Sequence, residues 1–209
     1  MNYRVVDLDK YPRRETFLFF KNQRNCVYSL TIKINIEKVY YKSKELGIGF
    51  YPLFMSILTE AVNSFEFSRM DLDENGRLIV YEFVVPCYTI FHHETNTYSC
   101  MNTEYVKDMI EYAKRMDFDI KSNVNNMKFC IKEQPKNGYP VSTLPWIDYD
   151  NLTIKVFDVR NNFLPMITWG KFDKSTFQMP ISFEINHAVM DGYHLHLLID
   201  KLNDIVEKL

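Results

Sequence analysis

The chain predicts an α+β fold, a two-layer α/β sandwich in which helices cover a mixed sheet. Three observations predict it. Helical stripes and strand-like alternations are interspersed along the 209 residues, several strand-like runs follow one another directly in the C-terminal half, and no linker, repeat or low-complexity tract divides the chain. A strictly repeating strand–helix wind would not place strands back to back. The length suits a single domain over residues 1–209, with chain enough to bury a substantial core.

The elements follow from local pattern. Arg13 to Asn22 reads as a short helix after Pro12, whose fixed φ suits a first helical turn. Cys26, Tyr28, Leu30, Ile32, Ile34 and Ile36 alternate with more polar neighbours, as in a half-buried strand. Pro52 opens a helix whose stripe is Phe54, Ile57, Leu58, Ala61 and Val62. Arg77 to Phe83 and Val85 to His92 read as strands, and Val106, Met109, Ile110, Ala113 and Met116 repeat at helical spacing. Leu152 to Phe157, Met166 to Phe172 and Phe177 to Val189 are further strand-like runs. Leu198, Leu202, Ile205 and Leu209 form the stripe of a closing helix, with Lys201 and Lys208 on its polar side.

Composition narrows the function classes. Hydrophobic content of 46% and charged content of 25% are ordinary for a globular protein, while 16 Phe and 14 Tyr favour strands and large contact surfaces. A net charge of -2 offers no basic field, so neither nucleic acid nor an anionic membrane is an expected partner. No apolar stretch approaches the roughly 18 residues needed to span a bilayer, and the polar start does not resemble a signal peptide, so a cytoplasmic location is expected. Cys26, Cys87, Cys100 and Cys130 lack metal-like or redox spacing and are expected as reduced thiols in or beside the core.

Two motifs bear on chemistry. Asp71-Leu72-Asp73-Glu74-Asn75-Gly76 with Glu82 satisfies the written pattern of a calcium-binding loop. Such a loop needs a helix on each side, yet Arg77-Leu78-Ile79-Val80-Tyr81 is strand-like, so an Asn-Gly hairpin turn is expected and no metal. The second motif is Asn186-His187-Ala188-Val189-Met190-Asp191-Gly192, with an apolar run before it and an amphipathic helix after it. Histidine titrates nearest neutrality and is a ready general base. Taken alone, His187 reads as well as a satisfied core histidine.

Further segments change that balance. They are Arg13-Arg14-Glu15-Thr16-Phe17, Asn25-Cys26-Val27-Tyr28-Ser29-Leu30, Glu66-Phe67-Ser68-Arg69-Met70, Pro86-Cys87-Tyr88-Thr89-Ile90-Phe91-His92, Val141-Ser142-Thr143-Leu144-Pro145-Trp146 and Pro165-Met166-Ile167-Thr168-Trp169-Gly170-Lys171. Together with the histidine segment, over nearly the whole chain, they resemble the chloramphenicol acetyltransferases, within the CoA-dependent acyltransferase superfamily. The resemblance implies acetyl transfer from acetyl-CoA to a hydroxyl of chloramphenicol in a ternary complex. It assigns His187 as the general base, Ser142 as the donor that steadies the oxyanion, and Thr168 as the holder of an active-site water. Arg13 and Asp191 match a supporting ion pair beneath the histidine, although Arg14 competes for that partnership. Phe19, Phe20, Arg24, Cys26, Tyr28, Tyr98, Cys100, Ile154, Val156 and Met166 match the acceptor pocket, and Trp146 and Lys171 lie at positions near the coenzyme. A homotrimer with active sites between subunits is implied too.

The chain also departs from the family pattern. Asn186 stands where a first histidine is usual, Phe20 where a tyrosine is common, and Arg24 where an apolar side chain is usual. Tyr98 and Cys100 replace a more typical Phe and Ala. The same chemistry on another hydroxylated small molecule therefore stays open, as does a non-catalytic drug-binding module. An acyltransferase core of a 2-oxo acid dehydrogenase complex would normally carry lipoyl and linker segments that this chain lacks.

Overall fold

The computed structural model describes residues 2–154 and 163–209. The main sheet contains β2 (Val27–Asn35), β5 (Val85–His92), β6 (Thr97–Met101), β7 (Gly138–Leu144), β8 (Met166–Gly170) and β9 (Gln178–Asn186), in the order β2-β9-β8-β7-β5-β6. The sheet is mixed: β7 runs parallel to β5 and β8, whereas β2, β9 and β8 alternate in direction. A smaller sheet joins β1 (Tyr3–Val5), β4 (Leu78–Tyr81) and β3 (Met70–Leu72) in the order β1-β4-β3; β4 and its hairpin were expected, β1 was not. The helices are α1 (Arg14–Asn22), α2 (Glu37–Leu46), α3 (Phe50–Asn63), α4 (Met109–Asn123) and α5 (Gly192–Glu207).

Periodicity explains the layering. Along β9, Met179, Ile181, Phe183 and Ile185 point to one face and are fully buried with Leu53, Phe54, Ile57 and Leu58 of α3 and Leu198 and Leu202 of α5. Burying each such side chain contributes about 1.5–3 kcal/mol, so this face carries the core. Helix α3 begins at Phe50, two residues before Pro52, and Pro52 sits in the first turn, where its missing N–H costs nothing. Helix α2 escaped the periodicity because it carries few apolar residues; its stop, Gly47 at φ +65°, was the legible sign of it.

One expectation needs revision. Leu152, Thr153 and Ile154 belong to no strand, and the rest of that run lies outside the described residues. The Asp71–Gly76 segment is the expected hairpin, but only its glycine takes a positive φ. Gly76 N–H bonds Asp73 O (2.9 Å), and Asp73 N–H bonds Arg77 O (3.0 Å). The Asp73 carboxylate accepts from Asn75 N–H, Arg77 N–H and Arg77 Nε, so it closes the turn. This is a three-residue loop with a glycine bulge.

Candidate functional site

The β2–β9 ladder ends at the pair Val27 and Asn186, and the next residue extends it by one bond, His187 N–H to Cys26 O at 2.9 Å. There the chain turns. Asn186 O accepts Val189 N–H (3.2 Å) and Met190 N–H (3.1 Å), and Asn186 Oδ1 accepts Ala188 N–H (3.0 Å). The asparagine that departs from the family pattern thus builds the turn. Ala188, Val189 and Met190 are fully buried and anchor it. The His187 ring stacks on Phe20 of α1, centroids 4.3 Å apart at 19°, with Tyr28 edge-on at 5.5 Å.

A polar clamp holds this loop. Arg13 donates to His187 O (3.3 Å) and Ala188 O (3.5 Å) and pairs with Asp191 Oδ2 at 3.3 Å. Arg14 instead faces Asp9, at 3.7 Å, which resolves the competition between the two arginines. Asp191 also caps α5, its Oδ1 accepting Tyr193 N–H (3.0 Å) and His194 N–H (3.3 Å). Burial opposes ionisation of Asp191, but hydrogen bonds from His194 and the charges of His194 and Arg13 outweigh it and hold the carboxyl below its ordinary value. An ion pair of this kind is weak evidence for stability and better suited to orienting what it touches.

Ser142 and Thr168 lie elsewhere. Register places Thr31, Ser182, Thr168 and Ser142 opposite one another across β2, β9, β8 and β7, a row of hydroxyls on the face away from the helices. The segment from Ile147 to Ile154 crosses part of this face. Tyr149 Oη donates to Thr168 O (3.0 Å), Leu152 N–H to Thr31 Oγ1 (3.2 Å), and Ile154 N–H to Glu184 Oε1 (3.1 Å). Ser142 also lines a cavity of about 1280 Å³ with Tyr98, Trp146 and Lys171. Its aromatic walls include Tyr51, Phe91, Trp169 and Phe172, and Asp148, Asp173 and Lys174 add charge. Phe91 meets Trp146 edge-on at 4.8 Å.

The expected site residues therefore form two groups. Phe19, Phe20, Arg24, Cys26 and Tyr28 flank or stack near His187 at the β2 edge; Arg24 is exposed and has no ion-pair partner among the described residues. Tyr98, Trp146 and Lys171 gather with Ser142 around the cavity. Met166 opens β8 beside Glu184, and Ile154 sits over that carboxylate. Cys100 lies on β6, bridged to the backbone at Cys130 rather than lining the cavity. Val156 lies outside the described residues. His187 stands five positions beyond Ser182 in the β9 register, and Ser142 two strands across from it. Strand rise and spacing put about 16 Å along and about 10 Å across between them, nearly 20 Å in all.

Among the described residues, three buried side-chain polar atoms have no hydrogen-bond partner: Tyr28 Oη, Thr168 Oγ1 and His187 Nδ1. Buried polar groups are nearly always paired, so orphans mark places that something else satisfies. All three fall on residues singled out from sequence. Burial, aided by the charge of Asp191, pushes the Tyr28 hydroxyl up to about 12, so it stays protonated as a donor. Sequence reasoning missed Tyr51, Phe91 and His93 of the cavity, and the buried Glu184. Only the high aromatic content hinted at the first of these.

The chain resembles known proteins over its full length. A family model described as chloramphenicol acetyltransferase matches residues 1–203. A chloramphenicol acetyltransferase of Campylobacter coli is 32% identical over 211 residues, covering 100% of each chain. One of Clostridium butyricum is 32% identical, covering 98% of this chain and 95% of its own. Among solved structures, a chloramphenicol acetyltransferase superposes with a TM-score of 0.84 at 20% identity, covering 98% of this chain and 100% of the other.

Proposed function

The chain belongs to the chloramphenicol acetyltransferase family, and from that premise we propose that it transfers acetyl from acetyl-CoA to a hydroxyl of chloramphenicol, as a single acetyltransferase domain. The observation that carries the reading is the set of orphaned buried atoms on His187, Thr168 and Tyr28. His187 removes the proton of the acceptor hydroxyl, which is too weak a nucleophile when neutral; a positioned base contributes roughly 10²–10⁴-fold. The oxygen then attacks the thioester carbonyl, and the Ser142 hydroxyl donates to the tetrahedral oxyanion. Collapse expels the CoA thiolate, which takes up the proton. No acyl-enzyme forms, because the acceptor itself is the nucleophile. The Thr168 hydroxyl holds a water at the same centre.

Geometry supports an assembly. Nearly 20 Å separates His187 from Ser142 within one chain, far beyond the roughly 3 Å at which a base and an oxyanion donor serve one reacting centre. A homotrimer that sets His187 of one subunit against Ser142 of its neighbour removes the discrepancy, and head-to-tail contacts of this kind close into rings. The cavity beside Ser142, with aromatic walls and Lys171 and Lys174 on its lining, suits acetyl-CoA.

Purified protein is expected to release CoA thiol from acetyl-CoA only when chloramphenicol is present, and His187→Ala to abolish that release. Release with other alcohols but not the drug would refute the assigned acceptor, and no release with any would refute the transferase reading. Inactive His187→Ala and Ser142→Ala chains, unfolded and refolded together in equal amounts, should regain activity in about a quarter of the sites if each site joins two chains at random.

A further inference from the structure

We infer that His194 is a positioning residue for this transfer: its ring fixes the Asp191 carboxylate, which through Arg13 holds the backbone that carries His187. The inference rests on the reading of His187 as the base. Each link is a direct contact in the structure. His194 Nδ1 lies 2.6 Å from Asp191 Oδ1. Asp191 Oδ2 lies 3.3 Å from Arg13, and Arg13 donates to His187 O at 3.3 Å and Ala188 O at 3.5 Å.

Chemistry assigns the proton. His194 Nδ1 also stands 3.4 Å from the Asp191 backbone N–H, a bond it cannot accept while donating to the carboxylate. The carboxylate contact is shorter and charge-assisted, so it prevails and Nδ1 carries the hydrogen. Capping α5 does not require this bond. Asp191 Oδ1 already takes Tyr193 N–H and His194 N–H, two donors of the helix itself. The imidazole is a third donor to that oxygen, and with Oδ1 so held, Oδ2 is left facing Arg13. Phe67 fixes the imidazole in turn, edge-on at 4.8 Å.

Two substitutions separate positioning from helix stability. The amide nitrogen of His194→Asn falls near the place of Nδ1, whereas that of His194→Gln falls near Nε2 and leaves Asp191 Oδ1 without its third donor. Glutamine is the better helix former, so a purely structural role predicts that the Gln variant does at least as well. Positioning predicts the reverse: His194→Asn keeps kcat within a few-fold, and His194→Gln lowers kcat roughly 10-fold or more with little change in KM, since small misplacements cost up to about 10²-fold. Equal kcat in both variants, or equal loss in both, would overturn the inference. Long-range proton–nitrogen spectra of the His187 ring give a readout independent of turnover; they should shift in the Gln variant and not in the Asn variant. A parent chain that releases no CoA would count against the proposed function, while those spectra would still decide the role of His194.

Discussion

Asp71 shows how a single side chain ties stability to pH. Its carboxylate sits half-buried on β3 with only backbone donors, Leu72 N–H at 2.8 Å and the backbone of Phe163, and burial pushes it up from 3.8 to about 6. Between those values the folded chain keeps a proton that the unfolded chain has released, so stability falls as pH rises through that window. Below it both states are protonated and the cost vanishes. Asp71→Asn keeps an acceptor for Leu72 N–H without the charge. It is expected to stabilise the chain by about 1–3 kcal/mol near pH 7 and by almost nothing near pH 3.5. Thermal melts of both proteins across that range check it. Asp191 has the opposite sign: held below its ordinary value, it contributes stability at neutral pH that is lost on acidification. At this scale the sequence was most legible. The spacing of His187 and Asp191 drew notice by itself, Ser142 and Thr168 were marked out only by the family resemblance, and the orphaned state of the Tyr28 hydroxyl was not legible, because a tyrosine in a strand shows nothing of what its oxygen meets.

Among the elements, pattern strength decided what could be foreseen. β2, β5, β9, α3 and α5 each repeat their apolar period several times, and each lies close to its expected span. β1 and β3 are three residues each, too short to show a period, and β7 hides its strand behind Pro140. That proline stands beside Cys87 in the last pair of the short parallel β5–β7 pairing, just before β7 begins to pair with β8 at Val141. Close packing between elements is just as invisible in sequence. A Cβ on Gly170, at the end of β8, would come within 2.6 Å of Ile147 O and 2.7 Å of the Tyr149 ring. Ile147 O also accepts Lys171 N–H at 2.8 Å, and Trp146 precedes it on the cavity wall. Gly170→Ala is therefore expected to cost about 1–3 kcal/mol by overpacking. It should also raise KM for acetyl-CoA more than KM for the acceptor, which steady-state kinetics with each substrate varied will show.

For the whole molecule, the two-layer arrangement was legible because interspersed helices and consecutive strands admit few other solutions. The proposed division of the site was implied by the family resemblance alone. It depends on register across four strands, and no local pattern encodes how far apart two distant segments come to lie. If the working unit is a ring of three, light scattering should give a particle three times the chain's mass, and specific activity should fall on dilution as the ring dissociates. Activity per chain independent of concentration, in a monomeric particle, would contradict this.

The gap between His187 and Ser142 has a consequence in time as well as space. If the site joins two chains as proposed, a newly made chain that has folded but not yet met its neighbours would hold the proposed base with no oxyanion donor near it, and the proposed thioester cavity with no base. On that proposal such a chain would neither acetylate the drug nor squander acetyl-CoA by hydrolysis. Onset of activity after synthesis would then follow the kinetics of encounter between chains, second order in their number, rather than the rate at which each one folds.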